Sequence, residues 1–156
     1  MKNLLLIVLA IGVTSCTAQR MTLTNITEKN GKIGIGTTNP DELLTVKGKI
    51  HTQEVIVDLK GAVAPDYVFE SYYEGSSLLN PDYRLPSLTE LENYVKSHHH
   101  LPNVPSAQEI DKEGLSLKEM NLLLLEKVEE LTLYTLEQQK EIETLKKKVA
   151  EISKSN

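Results

Sequence analysis

The chain of 156 residues has one cysteine, one phenylalanine and no tryptophan. A single thiol excludes an internal disulfide framework and a cysteine zinc cage. So few large aromatics argue against one thick core, which such side chains normally fill, although six tyrosines partly compensate. Basic charge is also short, with 17 Lys and Arg against 22 Asp and Glu and a net charge of −5. That scattered, acidic balance excludes a nucleic-acid binder working through a basic face. The longest apolar run, Leu4 to Val13, falls well below the ~20 residues of a membrane-spanning helix.

Catalytic patterns are missing too. The glycine-rich stretch Gly31-Lys32-Ile33-Gly34-Ile35-Gly36 is neither a dinucleotide fingerprint nor a phosphate loop, and no helical pattern follows it directly. It reads as a twisted β segment with tight turns. His98-His99-His100 is the one metal candidate. Adjacent imidazoles on a helix diverge, and no acidic or cysteine ligand follows at metal spacing. Helix-end polarity is therefore the favoured reading. No serine pairs with a recognisable base and no carboxylate pair sits in a plausible cleft. The expectation is a non-enzymatic chain without a cofactor.

Lys2, the ten-residue apolar run and the small residues after it read as a secretory signal over residues 1–20. Two processing readings stay open. Val13-Thr14-Ser15-Cys16 resembles a bacterial lipobox, which would make Cys16 a lipidated first residue and a membrane attachment. Cys16-Thr17-Ala18 could instead serve ordinary signal peptidase, leaving a chain that begins near Gln19 in the periplasm or outside the cell. In both readings the protein is exported.

Residues 21–60 favour strands. Ile33, Ile35, Leu44, Val46, Ile50, Val55, Ile56 and Val57 fall in short runs divided by glycines and Asn39-Pro40. Thr45–Lys47 and Glu54–Val57 each predict a strand, with a turn or bulge at Lys47-Gly48-Lys49. So few strands could hardly be buried by one chain; three chains supplying faces to a shared core could do it. Residues 61–86 read as a loop region that gathers Tyr67, Phe69, Tyr72, Tyr73 and Tyr83. Such a cluster docks a loop onto a neighbouring element more often than it forms a ligand platform.

Residues 87–115 predict short helices, and their starts follow from capping chemistry. Ser87-x-x-Glu90, Ser106-x-x-Glu109 and Ser116-x-x-Glu119 are three capping boxes. The first opens a helix to about Ser97, and the second a turn or two ending at Gly114. From 116 to 153 a heptad frame runs unbroken. Its d positions are Leu117, Leu124, Leu131, Gln138, Leu145 and Ile152, and its a positions are Asn121, Val128, Thr135, Ile142 and Val149. Eight of these eleven are apolar, the pattern of a coiled-coil seam. Such a rod, about 54 Å long, has no core of its own to lie on and requires partner helices. Glu141 at g can reach Lys146 at e of a parallel neighbour. For the polar seam residues Asn121, Thr135 and Gln138, a functional reading, register selection or an ion trapped on the axis, stands evenly against a tolerated weak layer. Met120 and Leu122–Leu125 make the start of this helix apolar nearly all round, which predicts a collar of short helices around it.

The segments Gly34-Ile35-Gly36-Thr37-Thr38-Asn39-Pro40 and Leu44-Thr45-Val46-Lys47-Gly48-Lys49-Ile50 resemble the stalk motif of phage tail-fibre-like proteins. Pro65–Phe69, Tyr83–Leu85, His100-Leu101-Pro102-Asn103-Val104-Pro105-Ser106 and Leu124–Tyr134 resemble the C-terminal module of exported tail-fibre-like proteins of Bacteroidota. The resemblance covers about residues 33–153. It implies an exported structural protein, α+β in class, with a short trimeric β stalk, a small helical collar and a long parallel coiled coil. The self-cleavage signature S-D-x-x-x-K of related fibres is absent, so that activity does not carry over. Ala64 stands where an aromatic is usual, residues 73–80 look like an insertion, and little chain precedes Gly34 to form a receptor-binding head. The competing expectation is a cell-surface, adhesin-like module that binds a surface or glycan ligand through the Tyr67–Tyr83 loop.

Overall fold

The computed structural model describes residues 25–155; the expected signal segment and Cys16 lie outside them. The chain divides into two compact units, one ending at Val55 and the other beginning at Ile56. Its class is α+β, with a small sheet and four helices among the described residues.

The first unit is a three-stranded sheet in the order β1 (Ile26–Lys29), β2 (Lys32–Ile35), β3 (Leu44–Val46). β1 and β2 form an antiparallel hairpin across Asn30-Gly31, both at positive φ (53° and 77°). Asn-Gly is the pair that a primed two-residue turn demands; it was the hairpin's plainest sequence signal. β3 returns parallel to β2 through a short loop stapled from both ends. Thr45 Oγ1 donates to Asp41 at 2.7 Å and accepts from the Asp41 and Glu42 amides at 3.1 Å.

The glycine motif is explained here. A Cβ on Gly34 would lie 2.5 Å from the Thr37 carbonyl oxygen, and Gly36 has φ +72°, so only glycine fits the fold-back of this loop. Register places Ile26, Ile35 and Val46 in one row and Ile33 and Leu44 in the next. All five share one face because side chains alternate along a strand. The opposite face carries Gly34 and Thr45, buried under the loop. The strand predicted at Glu54–Val57 does not form: this segment has no ladder partner among the described residues and stays exposed. β propensity without a neighbouring strand is insufficient.

The second unit holds α1 (Tyr67–Glu74), α2 (Leu88–His98), α3 (Ala107–Glu113) and the 39-residue α4 (Leu117–Ser155). Two capping boxes form in full, at Ser87/Glu90 and Ser106/Glu109. At Ser116 only the forward bond from the Glu119 amide is present, at 3.4 Å. α2 ends on His99 in the left-handed conformation (φ 60°), and Gly114 closes α3.

Residues 61–86 correct the loop expectation, because α1 forms within them. Its N-cap residue Asp66 makes no side-chain capping bond. Aromatic residues are indifferent helix formers, so docking stabilises α1: Tyr67, Val68 and Leu133 of α4 form the buried core, ringed by Phe69, Tyr72, Tyr83 and Leu85. The collar is looser than expected. Among the described helices, α1 is the one whose backbone comes close to α4, while α2 and α3 face it across clefts that Leu91 and Tyr94 share with Lys127 and Glu130, and Glu109 and Glu113 with Met120 and Leu123. The buried positions of α4 fall within residues 126–134; nearer its start Met120, Leu122 and Leu123 are half-buried, while Leu124 and Leu125 remain exposed.

Candidate functional site: an assembly surface

α4 presents two faces of different character. One is covered by its own chain. Tyr67, Tyr72 and Tyr83 donate their hydroxyls to Glu126, Glu137 (3.1 Å) and Glu130 (3.2 Å). In return Tyr134 donates to the Pro86 carbonyl at 2.6 Å. In heptad terms these α4 residues, with Glu129 and Leu133, occupy b, c, f and g. The aromatic segment is therefore a docking device, and the hydroxyls of Tyr67, Tyr72 and Tyr83 are spent on α4.

Electrostatics tighten this face. Lys127 bridges Glu126 at 2.6 Å and Glu130 at 2.9 Å with its side chain largely buried. Burial opposes its charge, but the two carboxylate bonds outweigh that and raise its pKa. Burial, then the bond to Glu126, pushes the Tyr67 phenol up, and burial with the Glu130 charge does the same for Tyr83. Tyr134 is pushed up to about 12, chiefly by burial. Glu129 is the exception. It is buried, one carboxylate oxygen has no hydrogen-bond partner, and burial with the Asp66 and Glu126 charges raises its pKa.

The other face is bare. Leu117, Leu124, Val128, Leu131, Ile142, Leu145, Val149 and Ile152 are all exposed, from 45% at Ile142 to 63% at Leu131. The polar positions Asn121, Thr135 and Gln138 are exposed on the same stripe. Thr135 turns its hydroxyl to the Leu131 carbonyl at 2.8 Å, while Asn121 and Gln138 extend from the helix with no side-chain hydrogen bond among the described residues. The heptad residues thus share one uninterrupted stripe down α4, opposite the face its own chain covers. The sheet of the first unit shows a comparable bare face, with Ile26, Ile33, Ile35 and Leu44 exposed.

The histidine run closes α2. His98 Nδ1 lies 3.0 Å from the Tyr94 carbonyl, and its ring stacks on Tyr94 at 4.1 Å. His100 Nδ1 lies 3.0 Å from the Leu101 carbonyl. These rings are engaged with their own turn. No group of His, Cys, Asp and Glu among the described residues is arranged to hold a metal ion. Among the same residues, no helix is long and apolar enough to cross a membrane. Sequence reasoning missed the Glu126, Glu130 and Glu137 acceptors. Their only signal was acidic residues recurring on one side of a helix otherwise read for its seam.

The chain matches no protein-family model, no curated protein and no solved structure.

Proposed function

We propose that this chain is an exported, non-enzymatic structural protein that assembles with copies of itself through a parallel coiled coil of α4. Three strands are the favoured number, as in the tail-fibre-like proteins it resembles. The observation that carries the reading is the exposed stripe along α4, apolar at eight of its eleven heptad positions, on the side its own chain leaves uncovered. A helix of 39 residues with this seam is stable in water when partner helices bury it. The bare sheet face supports the same reading, since three copies could close it into a shared stalk core. Lipidation at Cys16 would tether the assembly to a membrane; fatty-acid labelling that is lost in Cys16→Ser tests that attachment.

The alternative, adhesion through the Tyr67–Tyr83 loop, is weakened because Tyr67, Tyr72 and Tyr83 are committed to α4. Only Tyr73, Leu78 and Leu79 of that region stand clear as large exposed apolar residues.

Light scattering over a concentration series tests assembly. The expected mass is three chains. Burying the exposed part of Leu131 and of Leu145 is worth about 1–2 kcal/mol each, and carboxylates in their place repel one another across the axis. Leu131→Asp with Leu145→Asp is therefore expected to yield monomer. An unchanged mass would refute the seam.

A further inference from the structure

Four separated segments of the second unit converge on a cleft of about 440 Å³: the chain from Asn80 to Pro86, α2, the Pro102-Asn103 turn, and α4 at Lys127 and Glu130. That is the volume range of small-molecule sites. Neither the assembly reading nor the tyrosine docking gives this cleft a task.

Its charges are already matched. Arg84 holds Glu90 at 2.8 Å, and Lys127 holds Glu130 at 2.9 Å. No spare cation is left to attract an anion. The polar groups without a side-chain hydrogen bond or ion pair among the described residues are the Tyr94 hydroxyl and, at the rim, Asp82 and Asn103, a carboxylate acceptor and an amide that both donates and accepts. Asn103 is held at φ 64°, a left-handed conformation uncommon outside glycine.

The walls are apolar and aromatic. Leu91, Pro86 and Pro102 line the cleft together with the rings of Tyr83 and Tyr94. Tyr94 is braced, because His98 stacks on one of its faces with an interplanar angle of 15° and His100 packs edge-on at 5.7 Å. The histidine run thereby acquires a role that needs no metal.

We propose that this cleft binds a neutral, polyhydroxylated ligand, a mono- or disaccharide unit. The Tyr94 ring and the flanking prolines take the C–H faces of the sugar, and Asp82 and Asn103 take its hydroxyls. Charged lining groups that neutralise one another select against anions, and the free Asp82 carboxylate reinforces that selection. This proposal does not depend on the assembly reading.

The test is saturation-transfer NMR and titration calorimetry on the purified full chain. The probes are maltose, lactose and N,N′-diacetylchitobiose, with sulfate as the anionic competitor. The expected result is saturable binding of at least one disaccharide, unaffected by sulfate and weakened about tenfold or more in Tyr94→Ala. Asn103→Gly keeps the left-handed backbone while deleting the amide, and it is expected to weaken binding in the same direction. Light scattering on each variant separates loss of the cleft from loss of assembly. No saturation by any of the three sugars, binding unchanged in both variants, or displacement by sulfate would each overturn the proposal.

Discussion

Leu133→Ala separates the two faces of α4. Leu133 is fully buried and, with Tyr67 and Val68, forms the only hydrophobic cluster of buried residues among those described. Replacing a buried leucine with alanine removes its transfer free energy and leaves a cavity, at a cost of about 3–5 kcal/mol where neighbours cannot collapse. Collapse is restricted here. Tyr67 is tied to Glu126 and Tyr83 to Glu130, so the rings around the hole are tethered by their hydroxyls. A loss near 3 kcal/mol would shift the docked–undocked balance of α1 by roughly a hundredfold. Hydrogen exchange reads this directly: amides of residues 68–74 are expected to lose protection, with near-ultraviolet circular dichroism from the tyrosines falling in parallel. Leu133 sits at f, away from the a and d stripe, so the mass read by light scattering is expected to match that of the parent chain. Unaltered protection over 68–74 would refute the packing account. A lower mass in the variant than in the parent chain would refute the division of α4 into an inner and an outer face.

Two further substitutions probe other parts of the fold. Gly34→Ala drives a Cβ to 2.5 Å from the Thr37 carbonyl oxygen, so a cost of about 1–3 kcal/mol is expected as loss of amide protection in β2 and β3, while α1 keeps its protection. Retained strand protection would count against the fold-back geometry. The pKa of Glu129 is raised in the folded state, so the native chain binds more protons and stability rises as pH falls through that raised value towards the unfolded one. Glu90 acts oppositely: bonds to Arg84 and then Ser87 lower it to about 2 from 4.5, so its contribution is present above 4.5 and is lost as pH falls towards 2. Urea unfolding midpoints across pH are expected to lose the Glu129-dependent rise in Glu129→Gln, which is also more stable at neutral pH. An unchanged profile would refute the buried-charge account.

Where the determining interaction spans only a few residues, the sequence alone was decisive. Ser87 and Ser106 bond to amides three residues on, so their helix starts were legible, as was the periodic stripe from Leu117 to Ile152. The glycines at 34 and 36 marked a tight β segment, whereas the Asn30-Gly31 turn signal went unread and the hairpin was found in the structure. The tertiary structure decided what lies far apart in the chain. Tyr67 meets Glu126 across 59 residues, and that meeting made a helix of residues otherwise read as loop. It also selected which side of α4 the chain covers for itself. Glu54–Val57 had strand propensity and no strand beside it. Capping and periodicity are properties of a few consecutive residues, whereas burial depends on which distant surface arrives, and that is settled only when the chain has folded.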